Sequence, residues 1–227
     1  MRILVSLLLL SLSMSARALG IDSAQSNLMQ AIKNGDHDQV TALLTQGLDP
    51  NFVVEPSSRC ATSPLIEAVL DERLEIIEVL LAHHAAVTSD ADKCGSALAK
   101  ASWMGFTPAV KLLLIHGAKV GQTDSRGYTP LLLASSNAPD VETIKLLLAA
   151  GADYHKITKD KENALMLAAW NLNVEGVKLF KELGLDPCVK NVDGHTARDI
   201  VEGRADPPEK LKRVLELLPP AAQCESH

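Results

Sequence analysis

Aromatic residues are scarce: two Trp, two Tyr and three Phe make up 3% of the 227 residues. That argues against strands, which draw on Tyr, Phe and Val, and fits thin helices packed closely through Leu and Ala. Positive charge is also short, 22 Lys and Arg against 28 Asp and Glu, for a formal net charge of −6. Nucleic acid would demand a basic surface and anionic lipid a polybasic patch, so the composition points instead to a protein partner. Catalytic signatures are missing as well. No Gly-x-Ser-x-Gly, His-Glu-x-x-His, phosphate-cradling glycine loop or dinucleotide fingerprint occurs, so no catalytic residue, cofactor or metal is expected. Adjacent His83 and His84 point to different helix faces, and His116 stands where His83 does in its own segment. These histidines are expected to cap carbonyls near negative helix ends rather than hold an ion.

What is present starts with a leader. Arg2 is followed by an apolar run from Ile3 through Leu12 and by Ala16-Arg17-Ala18, the arrangement of a secretory signal peptide cleaved after Ala18. The run is about ten residues, half of what a helix needs to cross a bilayer. Cleavage leaves 20 basic against 28 acidic residues, a formal charge of −8. A soluble monomer free of the membrane is expected, in the periplasm given the short bacterial-type n-region, or secreted. Residues 19–24 form a short N-terminal segment and 222–227 a C-terminal tail.

The body of the chain repeats. Leu28, Leu65, Leu98, Leu131, Leu165 and Arg198 recur at intervals of 37, 33, 33, 34 and 33. Gly47, His84, Gly117, Gly151 and Gly184, each after an apolar run, recur at 37, 33, 34 and 33. Two independent series with one period place six units near 25–57, 58–90, 91–123, 124–157, 158–190 and 191–221. Within a unit, Thr129-Pro130 or Ser63-Pro64 opens a helix, with the hydroxyl as N-cap and proline where its missing N–H is harmless. Small residues follow at Ala31, Ala68, Ala101, Ala134 and Ala168, where a second helix must approach closely. That second helix is apolar and ends at the glycine, free to adopt a left-handed cap.

The motifs Gly127-Tyr128-Thr129-Pro130-Leu131, Leu146-Leu147-Leu148-Ala149-Ala150-Gly151-Ala152-Asp153 and Leu112 to Ala118 resemble the ankyrin repeat, over residues 25–221. The resemblance implies an all-α solenoid of about six helix-turn-helix repeats with short hairpin-like loops. It also implies a concave surface of inner helices and loop tips that binds proteins without doing chemistry. The first unit lacks Thr-Pro, and the last has Arg198 for leucine and an insertion over Gly203 to Pro208, as solvent-facing end caps should.

Mapped onto this chain, the family's variable surface slots fall on Lys33-Asn34, Leu70-Asp71, Trp103-Met104, Ser136-Asn137 and Trp170-Asn171. The two Trp occupy one slot, and Trp is the side chain most enriched in binding hot spots; the alternative is that each fills a gap between inner helices. Arg126 and Tyr128, with Ser125, Lys161, Glu162 and His195, would line the loop-tip rim. Extra residues around Val53–Cys60 and Asn137–Asp140 mark either partner contacts or neutral loop drift.

Four cysteines in an exported chain favour disulfides over free thiols. Cys60 and Cys94 occupy nearly matching positions of adjacent units, as do Cys188 and Cys224, so the pairs Cys60–Cys94 and Cys188–Cys224 are expected. Free, partly buried thiols are the alternative. The resemblance extends to bacterial exported ankyrin proteins, among them companions of catalases in peroxide defence and immunity proteins that neutralise toxins. The function expected is therefore a non-enzymatic adaptor or protector, with toxin immunity and a secreted host-directed effector as alternatives.

Overall fold

A computed structural model describes residues 23–54, 62–88, 95–137, 141–204 and 208–224. The leader, its cleavage site, Cys60 and Cys94 lie outside the described residues. Two compact units divide the chain, the first reaching Ala86 and the second beginning at Val87. The first contains helix α1 (23–34), α2 (His37–Thr45), α3 (Pro64–Leu70) and α4 (Leu74–Ala82). In the second, inner helices α5 (Ala97–Met104), α7 (Pro130–Asn137), α9 (Ala164–Trp170) and α11 (Ala197–Glu202) alternate with outer helices α6 (Thr107–Ile115), α8 (Glu142–Ala149), α10 (Val174–Glu182) and α12 (Pro208–Leu217). A last helical turn, α13, runs over Ala221–Cys224. Among the described residues there is no strand, only an isolated antiparallel bridge between Val54 and Thr62. No described helix is long and apolar enough to cross a membrane.

The inner helices α3, α5, α7, α9 and α11 start where a side chain satisfies an orphan backbone N–H. Ser63, Ser96, Thr129 and Asn163 accept bonds from the N–H groups of Ile66, Ala99, Leu132 and Met166. Thr196 and Asp199 form a reciprocal capping box at α11. At the far ends the backbone closes on itself. The N–H of Asp36, Arg73, Phe106 and Asn173 reaches the carbonyl of Ala31, Ala68, Ala101 and Ala168, each fully buried. Outer helices close alike, with Ala85, Ala118, Ala152 and Leu185 donating to Leu80, Leu113, Leu147 and Phe180. Such six-to-one turns need a left-handed residue, supplied at the outer ends by Gly47, Gly117, Gly151 and Gly184 and by His84 at φ 65°. His116 caps α6 as the sequence predicts, its Nδ1 lying 2.9 Å from the Leu112 carbonyl oxygen.

The leucine series is core. Leu28, Leu98, Leu131 and Leu165 have no exposed surface, and outer helices contribute Val110, Leu113, Ile144, Leu147, Val177 and Phe180, also fully buried. Arg198 breaks the series to a purpose. Beyond presenting a polar face, its guanidinium donates to the carbonyls of Leu215 (3.1 Å) and Leu218 (2.9 Å), closing the end of α12. Cys188 and Cys224 are bonded, with Cα atoms 5.2 Å apart, so the described start of the segment expected as a tail, through Cys224, is a helical turn tied back to Cys188.

Gly151 has φ 86° and open space where a Cβ would sit, so Gly151→Ala adds only left-handed strain and should destabilise the second unit by about 1 kcal/mol in urea titrations. His84→Gly, at the equivalent turn, should shift the first unit the opposite way, by about 0.5 kcal/mol once glycine's unfolded-state entropy is subtracted.

Candidate functional site

Side-by-side packing of α5, α7, α9 and α11 leaves one groove along the inner face of the second unit, about 680 Å³ in volume. Its floor is Leu133, Met166, Leu167 and Ile200. Trp103 and Trp170 stand at its edge, 46% and 52% exposed. The opposite rim is made by loop tips, where Arg126, Tyr128, Glu162 and His195 face the same space.

Those tips are ordered by backbone bonding. Asp124 bonds through Oδ1 to the N–H of Arg126 and Tyr128, and Asn191 does the same for Asp193 and His195. Successive tips are then joined, since Lys159 N–H donates to Arg126 O and Val192 N–H to Asp160 O, each at 3.0 Å. Loops that would otherwise fray are thereby held as a ladder.

Charge in the groove is organised in pairs. The Tyr128 hydroxyl donates to Glu162 at 3.0 Å, and Arg126 lies 4.8 Å over the Tyr128 ring. Burial, and then the neighbouring Glu162 carboxylate, push the Tyr128 phenol up to about 12. Arg204 lies 4.5 Å over the Trp170 ring and donates to the Trp170 carbonyl. Asp199 is held below the usual carboxylate range by the Thr196 backbone N–H it accepts in the capping box. Among the described residues no cluster of His, Cys, Asp or Glu is arranged to hold a metal ion.

A repeated brace supports the tryptophan edge. Asn137 donates to the Trp103 carbonyl at 3.0 Å, as Arg204 does to that of Trp170; in the first unit Arg73 reaches the Lys33 carbonyl at 3.3 Å. In each case a side chain from the next repeat caps the last turn of an inner helix.

Two overlapping matches to the family model for ankyrin repeats in three copies cover residues 28–124 and 98–191. The chain belongs to the ankyrin-repeat family. Among its relatives are the mouse B-cell lymphoma 3 protein homolog, 37% identical over 106 residues, and the Caenorhabditis elegans ankyrin repeat and KH domain-containing protein mask-1, 34% identical over 175 residues. A third is the human SH3 and multiple ankyrin repeat domains protein 2, 29% identical over 180 residues. These alignments cover 47%, 76% and 78% of this chain, but only 23%, 6% and 10% of the relatives. Ankyrin repeats mark a protein–protein interaction module.

Of the residues singled out by slot, Trp103, Trp170 and Ser136 line the groove, as do the loop-tip residues Tyr128 and Arg126. Asn137 braces the Trp103 carbonyl from an exposed position. Met104 ends α5 and Asn171 caps α9, and neither lines the groove. Leu70 and Asp71 belong to the first unit, exposed at the end of α3. Slot counting passed over the floor and Arg204. The floor was legible, because Leu133, Leu167 and Ile200 each stand two residues beyond the repeating position. Arg204 occupies the slot of Asn137, hidden behind the insertion of the last unit.

Raising the Tyr128 phenol to about 12 keeps it protonated in the folded protein after an unfolded tyrosine, near 10, has ionised. Its contribution to stability is therefore intact below about pH 10 and lost as pH rises toward 12. Tyrosinate absorbance should show a component titrating near 12 that Glu162→Gln moves downward.

Proposed function

We propose that this ankyrin-repeat protein is an exported, non-catalytic binding module that docks a partner protein in the groove of its second unit, as an adaptor or protector. The carrying observation is the tryptophan pair. Each Trp exposes about half its surface beside an apolar floor, the disposition of anchors waiting to be buried rather than of packing residues. The structural engagement of two groove carboxylates supports a non-catalytic role: Glu162 accepts from Tyr128 and Thr158, and Asp199 from Thr196.

Export rests on the leader over residues 1–18, and the periplasm is the proposed destination. An adaptor in stress defence and a toxin-neutralising protein would use the same groove, and the partner's identity separates them. A secreted host-directed role would show as a partner absent from the producing cell.

The test is affinity capture from native periplasm with the exported form, beside a Trp103→Ala/Trp170→Ala variant verified as folded by circular dichroism. Each tryptophan should contribute about 2 kcal/mol, roughly thirtyfold in affinity, so the double variant should lose the partner. A partner held equally by both proteins would overturn the groove as the docking site.

A further inference from the structure

We propose that the Cys188–Cys224 disulfide is a redox latch on the groove, whose reduction loosens the terminal repeat and opens the groove's far wall. The bond spans 36 residues, and the segment it encloses carries α11 and α12, the helix pair of the terminal repeat. The same segment supplies Asn191, Asp193, His195, Ile200 and Arg204 to the groove. One covalent link therefore governs the chain that builds one side of the site.

Physical reasons place the weak point here. Among the described residues α11 packs on α9 and α12, and α12 on α10 and α11, so the pair takes its support from one side. Stability in a repeat array is a sum of unit and neighbour terms, and a unit with one neighbour opens first. Closing a loop around that unit removes entropy from its opened state, which on the chain-entropy model suppresses opening by roughly several hundredfold. The other ties are a small apolar seam, Ala197, Val201, Val214 and Leu218, and polar bonds from Arg198 to the carbonyls of Leu215 and Leu218 and from Lys181 to that of Leu217. Cys188 and Cys224 are both partly exposed, so a thiolate can reach the bond.

The step is thiol–disulfide exchange with a dithiol. Its two thiols give up two electrons and two protons, the Cys188–Cys224 bond breaks into two thiols, and the reductant leaves as its own disulfide. Arg204, stacked on Trp170, loosens with α11, so the latch reaches a tryptophan of the groove. The consequence for docking rests on the binding reading above; the opening of the wall does not.

Hydrogen exchange by mass spectrometry on the purified protein tests this, comparing oxidised, dithiothreitol-reduced and Cys188→Ser/Cys224→Ser forms. Residues 197–204 should exchange roughly several hundredfold faster in the reduced protein and in the variant, while 130–149 hold their rates. Reductant added to the variant should change nothing further at 197–204, which assigns the effect to this bond and not to Cys60 or Cys94. Unchanged exchange at 197–204 after confirmed reduction would overturn the latch, and a failure of the binding reading would leave these rates untouched.

Discussion

Everything in this protein follows from how a helix is made to stop. At the end of an inner helix the chain turns through a left-handed residue and donates an N–H to the carbonyl of a buried alanine, as Arg73 does to Ala68 and Asn173 to Ala168. That one bond fixes the direction in which the outer helix leaves, and the alanine's small side chain fixes how near it lies. A second turn of the same kind ends the outer helix, so each repeat is a pair of helices with both exits determined locally. Leucine burial then supplies the driving force, but the turns decide what the leucines meet.

The groove is a by-product of that regularity. Because inner helices pack side by side, the residues two places beyond the repeating position in α7, α9 and α11, Leu133, Leu167 and Ile200, form an apolar floor, and residues five places beyond form an edge. Trp103 and Trp170 occupy that edge in alternate repeats, with Ser136 between them. Polar braces from the following repeat cap the turn carrying each tryptophan, so the ring is presented from a helix end that does not fray.

Much of this could be read from the sequence because repetition exposes it. A period near 33 located the helix pairs, the alanines located the close approach, and the odd His84 in a glycine series is a left-handed residue as its position requires. What stayed hidden involves side chains that cross from one repeat to another. Arg198 stands in a leucine slot and reads as a polar surface residue, yet its guanidinium reaches carbonyls 17 and 20 residues away. Arg204 was masked by an irregular stretch that breaks the count, and Glu162 gives no sign in sequence of holding the Tyr128 phenol from the next loop. Spacing predicts which residues share a face, but the direction of a long side chain is a tertiary property.

The ladder joining the loop tips has a consequence for how such a surface can change. The bonds from Lys159 to Arg126 and from Val192 to Asp160 are made by peptide groups alone. They are indifferent to which side chains the tips carry, provided the lengths are kept. Apart from Asp124 and Asn191, whose side chains order the tips, the Tyr128–Glu162 pair and Gly127 at φ 85°, the rim can therefore be rewritten residue by residue, altering what it recognises with little effect on the scaffold. Adding or removing a single residue would shift the ladder's register, so novelty at this rim is tolerated as substitution and resisted as insertion.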